Sequence, residues 1–565
     1  MAVPHGIDRS GAAGGTGAQG LVGSLNDLAD PNADRILFWN DSAGDLAFLS
    51  PSGSTGATLI GFLPSGAGAV IRTAQSKMRD IVSVTDFGAV GDGVTNDTTA
   101  FQNCADSGAL TVLVPPGTYL TNQVNWATKQ RIVGDRATIK PASVFAGPFW
   151  YFTGDYNVIE GLSFDINRTT YSGLICVYLD GADHTIVRRC TFNQAGRYAV
   201  YGWTTAYCKV EDCDIENVGE IGVLFDSAAT TSQFNSVTGC AINASGNISH
   251  GIQFAHGTDC SAINNTVRDA TIFGISSWLS SRTRIISNSI FDTVKEGINL
   301  DKADACGIAN NIIFWTGTAS TDFGLSLVGD ATNPANYNVI SGNIIAGSYK
   351  AGIALDNYVS YSVISANSVV NPNREDHASG AGIQVYGSNT TFNKITENRC
   401  LDFNTKMKYG VAESNFNGSG TPSNEFISNN TSQGHVTAPY LVVASTIAAL
   451  NGSYSAWVPT VTSGTGALTS YTVNTARYLE VGNMVFIEAD ITITDAGTGA
   501  TSIVFTLPFT ASTIAVLNGR ENVGTGSQLH GLISASGTTA ACFTYANGFP
   551  GATGNRLLMS GVYLK

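Results

Sequence analysis

A five-residue phrase, glycine followed by apolar, polar, apolar and polar positions, returns at Gly222, Gly251, Gly274, Gly297, Gly324, Gly352 and Gly382. The intervals of 29, 23, 23, 27, 28 and 30 residues are too irregular for a helical array of fixed repeat length but natural for stacked coils with variable loops. One and three places after each glycine stand Val223/Phe225, Ile252/Phe254, Ile275/Ser277, Ile298/Leu300, Leu325/Leu327, Ile353/Leu355 and Ile383/Val385, all apolar except Ser277. A period of two points them into one core, and the phrase predicts a parallel β-solenoid.

A second ladder keeps step with the first. Asn265, Asn288, Asn311, Asn343, Asn367 and Asn398 each precede a short polar-apolar or apolar pair, with Asn430 as a degenerate last member, and Cys190, Cys213 and Cys240 hold the same place upstream. Stacked turns favour a small side chain that bonds neighbouring backbone, as Asn does, or packs as a small apolar unit, as Cys does.

The chain has 565 residues, only 13% of them charged, with 63 glycines and a net charge of -14. Low charge with abundant glycine suits a turn-rich β architecture. The acidic balance and the lack of any basic run argue against a nucleic-acid surface, whose phosphate contacts need clustered Lys and Arg. Ten cysteines are too sparse for a disulfide scaffold, and none shows metal-ligand spacing with histidine, so no metal and no cofactor are expected. The start, Met1-Ala-Val-Pro-His-Gly, lacks a signal-like pattern, and no apolar stretch is long enough to span a bilayer. The expectation is a soluble protein without membrane insertion.

Three regions follow from texture. Residues 1–79 are Gly- and Ala-rich around one island, Leu28 to Leu49, in which Ile36/Phe38 and Leu46/Phe48 flank Asn40-Asp-Ser-Ala-Gly44 as a small hairpin. Residues 80–450 carry the coils. They open with Val82 to Cys104 and Thr111 to Tyr119: a strand, a Gly-rich turn, a helix capped by Asn96 or Asp97, and a strand closed by Pro115-Pro-Gly. An amphipathic helix carrying Ala100 and Phe101 makes a lid for the first coil. Residues 451–565 alternate short strands with Gly-rich turns, as in Met484 to Thr494 and Ser502 to Leu507, the pattern of an antiparallel β-sandwich.

The opening stretch, Asp86-Phe-Gly-Ala-Val-Gly-Asp-Gly-Val-Thr-Asn-Asp-Thr-Thr-Ala with Val114-Pro-Pro-Gly-Thr-Tyr, resembles the first-coil motif of the pectate-lyase-like right-handed parallel β-helix superfamily. Such a motif names a fold better than an activity. Leu28-Ala-Asp-Pro-Asn-Ala-Asp-Arg-Ile-Leu-Phe-Trp and Gly68 to Asp80 resemble the virion-attachment end of bacteriophage tailspikes and tail-fibre depolymerases. That resemblance implies a homotrimer in the phage tail, joined to other tail proteins through its N-terminal region and acting on a bacterial surface polysaccharide. It also implies that the C-terminal module closes the trimer or binds sugar.

Two and four places after each glycine the side chains point outward, forming the floor of any groove. The fourth-place column reads Asp226, Ala255, Trp278, Asp301, Val328, Asp356, Tyr386; the second-place column reads Leu224, Gln253, Ser276, Asn299, Ser326, Ala354, Gln384. Rings stack on sugar faces and amides bind hydroxyls, which makes Trp278, Tyr386, Gln253, Asn299 and Gln384 candidate substrate-binding residues. Rungs are about 4.8 Å apart, so Asp301 and Asp356, two rungs apart, should lie roughly 9 to 10 Å apart at the backbone. Inverting glycosidases hold their carboxyls about 6.5 to 9.5 Å apart and retaining ones about 5 to 5.5 Å, so the spacing favours inversion.

Glu296 is a third carboxylate on the Asp301 rung; strict alternation turns it inward, whereas a bend at Gly297 would redirect it. Burial would raise its pKa and suit it to proton donation. Glu296, Asp301 and Asp356 are the candidate acid and base, with Asp226, Asp304 and Asp330 in reserve, while His250 and His256 suit structural or sugar-contacting roles. Three functions stay open: endo-hydrolysis of capsule or lipopolysaccharide; elimination by a lyase using Lys295, Lys302 or Tyr358; and glycan adhesion without cleavage.

Overall fold

The computed structural model describes residues 36–40, 45–49 and 60–565, apart from 146, 229–231, 246–249, 319–321, 379, 415–419, 443–446, 450–454 and 482. The solenoid is present, with about 13 turns. One parallel sheet of thirteen strands runs from Val124–Trp126 to Ala438–Leu441, each strand paired only with the coil before and the coil after. The inward column is in register from Val223 through Ile252, Ile275, Ile298, Leu325 and Ile353 to Ile383, and all are fully buried. Ser277, the polar exception, is buried as well and bonds the Thr283 hydroxyl at 3.2 Å. Full burial of each Val, Ile or Leu contributes about 1.5 to 3 kcal/mol, so the repeat builds one long core.

The asparagine ladder joins successive coils. Asn288 is typical: its backbone N–H and Nδ2 both donate to Asn311 Oδ1, at 2.9 and 3.0 Å, while Nδ2 also donates to the Ala262 carbonyl. The same Oδ1 acceptance runs from Asn265 to Asn430. Cys190, Cys213 and Cys240 place Sγ against the carbonyls of Ile159, Val187 and Val210, the contact that Nδ2 of each asparagine makes. All ten cysteines are free and buried.

The helix Thr98–Asp106 covers the first coil, burying Ala100, Phe101, Cys104 and Ala105. Phe101 packs edge-on against Tyr119 at 5.3 Å. Asn96 Oδ1 accepts from the Thr98 N–H, while Asp97, at the cap position, turns its carboxylate to the Val90 and Gly91 N–H groups. That turn needs glycine at 91, where φ is +68° and a Cβ would lie 2.7 Å from the Tyr119 ring.

At the N-terminal end, Ile36–Asn40 pairs antiparallel with Asp45–Leu49, so the hairpin forms; the rest of the island, from Leu28 to Arg35, and its turn lie outside the described residues. Beyond the solenoid the strands become antiparallel and enclose a second core built on Val485, Ile491, Phe505, Leu517 and Leu557. The expected sandwich strands join in one unbroken order, from Val461–Thr465 through Ala500–Thr506, Thr539–Thr544, Gln528–Ile533, Ala515–Glu521, Arg556–Leu564 and Met484–Asp495 to Ser470–Val481.

Candidate functional site: a groove on the thirteen-stranded sheet

Strand pairing sets the outer face. Ala255 pairs with Trp278, Trp278 with Asp301, Asp301 with Val328, Val328 with Asp356 and Asp356 with Tyr386. The second column runs in the same register from Leu224 through Gln253, Ser276, Asn299, Ser326 and Ala354 to Gln384. An open groove of about 370 Å³ lies over the rungs from Tyr198–Trp203 to Ile298–Asp301, lined among others by Tyr198, Asp226, Gln253, Trp278, Asn299 and Asp301. Asp301 and Asp356 thus share one wall, two rungs and so about 9 to 10 Å apart at the backbone.

Glu296 turns outward. The position before each rung glycine, with Tyr198 at the same place on the preceding coil, forms a third outer column, in register from Tyr198 through Ile221 to His250, and Tyr198, Ile221 and Phe273 line the groove. The cause is Gly297: a Cβ there would stand 2.4 Å from the Ile313 side chain and 3.0 Å from the Gly324 carbonyl. The bend that only glycine fits shifts the phase of alternation and leaves Glu296 on the outer wall, 9% exposed. Burial pushes its carboxyl up to about 7, with Asp322 adding repulsion and Lys295 opposing it.

The outer wall has a wet end, which is the groove, and beyond Asp301 a dry end that the groove does not reach. At the wet end His256 Nδ1 meets Asp226 Oδ1 at 2.9 Å and packs edge-on against Trp278 at 4.7 Å, so Asp226 and His256 orient the tryptophan. Asn299 is 5% exposed and donates to Ser326 Oγ at 3.0 Å. Burial raises the pKa of Asp301, with Lys302 opposing.

At the dry end Tyr386 and Gln384, expected on an open floor, are 2% and 0% exposed. Tyr386 packs with Phe323, Ala351 and Ala354, because two small side chains on the rung between them let the large rings close over the wall. Burial pushes Asp356 up to about 6, with Lys350 opposing. Tyr386 is raised by burial and then by the charges of Asp356 and Glu296, which places both carboxyls around one ring.

Lys350 escaped the sequence reading. It is fully buried, with Nζ 5.5 Å from the Phe323 ring centre and 5.8 Å from that of Tyr386, and burial pushes its amine down to about 7. It lies two residues before Gly352, outside the positions taken to face outward. Also missed was an aromatic approach on earlier coils: Tyr151, Tyr178 and Tyr201 follow one another with ring centres 5.4 and 4.9 Å apart in line with Leu224, the second pair stacked. Asp180 and Trp203 extend the Asp226 column there. Those coils lack the glycine phrase, but their alternation in Val177-Tyr-Leu-Asp180 carries the signal.

Of the proposed elimination bases, Lys302 pairs with Asp330 at 3.1 Å, which raises its pKa and holds it as a cation. Lys295 lies over the Phe273 ring, and His250, pushed down to about 4 by burial and by Lys295, stays neutral. Tyr358, at φ +49°, is half-buried on the corner after Asp356, and Asp304 accepts from the Asn336 N–H.

The model of the NosD family, periplasmic copper-binding protein, matches residues 130–314 and, in a second overlapping placement, 183–355. Among the described residues no group of three or more His, Cys, Asp or Glu is placed to hold a metal ion. Solved structures with a similar fold include the tailspike protein of E. coli bacteriophage HK620 in complex with a pentasaccharide. It is 11% identical, with a TM-score of 0.54 over 90% of this chain and 98% of that one. The Dettilon tailspike protein is 13% identical, with a TM-score of 0.51 over 87% and 95%. The chain has the fold of tailspike β-solenoids. The A-module of the Azotobacter vinelandii mannuronan C-5 epimerase AlgE6 is 15% identical, with a TM-score of 0.44 over 66% and 98%. Among the described residues no helix is long and apolar enough to cross a membrane.

Proposed function

We propose that the chain is a phage tailspike whose solenoid binds a bacterial surface polysaccharide, capsule or lipopolysaccharide, and cuts it by inverting endo-hydrolysis. The observation that carries this reading is the in-register placement of Asp301 and Asp356 two rungs apart on the grooved face, a separation that admits a water between carboxyls. The acid role falls to the Glu296–Asp356 cluster around Tyr386, whose carboxyls titrate near 7 and 6, and the base role to Asp301. Trp278, Gln253 and Asn299 hold the sugar at the wet end, while Tyr386 and Gln384 shape the dry end.

Residues 1–79 are assigned to virion attachment, residues 80–450 to catalysis, and residues 451–565 to trimer closure or sugar binding. Ile60, Leu63, Val70, Ile71 and Met78 are each more than half exposed, and such a run of exposed apolar side chains is suited to burial against neighbouring copies or tail proteins.

Asp301→Asn, Asp356→Asn and Glu296→Gln test the assignment by glycan shortening. Removal of an acid or base costs about 10² to 10⁴ in rate, so Asp301→Asn and Asp356→Asn should fall in that range; full activity in all three variants rejects it. A second reading, elimination, is favoured by the buried Lys350 amine, which titrates near 7 and is thus partly neutral, as a base requires. Ultraviolet absorbance from an unsaturated product would decide for it.

A further inference from the structure

The corner that follows the thirteen-stranded sheet holds left-handed residues on successive coils, and those standing two places before the next strand form a continuous column. Each member's N–H donates to the carbonyl just before the next member, from Tyr156 to Asp183 through to Tyr361 and Thr391. Tyr156, His184, Tyr207 and Phe234 stack as one run with centroids 4.6, 4.8 and 4.8 Å apart. Tyr337, Tyr361 and Phe392 form a second run at 5.4 and 5.5 Å. Between the runs stand Asp259, Arg282 and Ala305, all with positive φ. Left-handed backbone costs a side-chain-bearing residue about 1 to 2 kcal/mol, which ring stacking offsets in the runs. In the gap no rings stack, and an Asp259–Arg282 ion pair stands in their place.

The gap is a notch of about 480 Å³. Phe234 closes one end and Val339 the other, with Ala305 and Gly307 in the floor and Arg284 along one side. A Cβ on Gly307 would meet no atom within 4 Å, so the floor is open. From Phe234 to Tyr337 is four rungs, about 19 Å, room for several sugar rings. Arg282 grips Asp259 in a bidentate pair at 2.8 and 2.7 Å. Counting Arg284, the notch carries a surplus of one positive charge on a chain of net -14.

We propose that this notch binds a carboxylate-bearing segment of a glycan, on a face separate from the groove. The inference rests on the glycan reading above. The exposed face of Phe234 takes the apolar face of a pyranose ring, and Arg284 beside the braced Arg282 pairs with a uronate or sialate carboxylate. Only Lys302, Ala303 and Asp304 separate Asp301 from Ala305, so one polymer reaches both sites around the corner.

Binding is read by calorimetry on the full chain carrying Asp301→Asn and Asp356→Asn, with tetramers of galacturonate, mannuronate and α2,8-sialate, and maltotetraose as the neutral control. At least one acidic tetramer binds, and maltotetraose binds at least tenfold more weakly. Arg284→Ala weakens the acidic tetramer at least tenfold. So does Ala305→Tyr, which fills the notch with a ring that the column already accepts at this backbone position. Trp278→Ala removes only binding in the groove, so the tetramer binding that Arg284→Ala weakens persists in it, and loss of that binding in Trp278→Ala assigns it to the groove and overturns the proposal; wild-type glycan shortening scores the depolymerase reading independently. Failure of every acidic tetramer to bind, or binding that survives both notch variants in folded protein, overturns the proposal. Loss of oligomeric state in Ala305→Tyr also overturns it, because the notch is then an interface between copies.

Discussion

Lys350 shows how one residue tunes a site. Its cation stabilises the ionised form of Asp356 and so opposes the burial that pushes that carboxyl up to about 6. Lys350→Met removes the opposing charge, Asp356 holds its proton to higher pH, and the alkaline limb of the activity profile moves upward; a pH–rate series on both proteins measures it. An unmoved limb would separate Lys350 from Asp356. The Asp301 and Asp356 column was legible because the phase of the glycine phrase assigns each position to a face. The burial of Tyr386 was not, since it depends on Phe323, Ala351 and Ala354, which lie one and two rungs away. Glu296 was legible only as a question, because the need for glycine at 297 depends on how closely Ile313, on another strand, packs over that position.

At the scale of elements, the asparagine ladder is the sequence signal that translated most directly into bonds. Asn311 Oδ1 accepts from both nitrogens of Asn288, and its own nitrogens donate to Asn343 and to the Ile285 carbonyl. Asn311→Ala strands a buried N–H and a buried amide, and should cost about 2 to 4 kcal/mol by denaturant unfolding of the solenoid. A loss under about 1 kcal/mol would show that the turns hold without the ladder. A second ladder went unread: Cys306 N–H bonds Asn338, Asn338 bonds Ser362, Ser362 bonds Asn393, and Asn393 bonds the Glu425 carboxyl. Its members change residue type from coil to coil, so composition hides what backbone geometry repeats. The capping helix was legible through its apolar pair, whereas the division of labour between Asn96 and Asp97 depended on the Gly91 turn.

For the whole molecule, the solenoid buries one continuous core from Val84 to Ile427, and the C-terminal strands enclose another. The switch from parallel to antiparallel pairing was visible as a change of texture, but the strand order was not, because alternation sets a strand's face and not its neighbour. If the exposed apolar stretch around Val70 and Met78 is a contact between copies, sedimentation equilibrium should give three times the chain mass; a monomer would remove the trimer. The central claim is that Asp301 and Asp356, two rungs apart on one wall, cut a glycan with a water between them. The most direct test is proton NMR of the anomeric signals during the first turnovers on a cleaved surface polysaccharide. The account predicts a new reducing end of inverted configuration, and a retained anomer or an unsaturated sugar would contradict it.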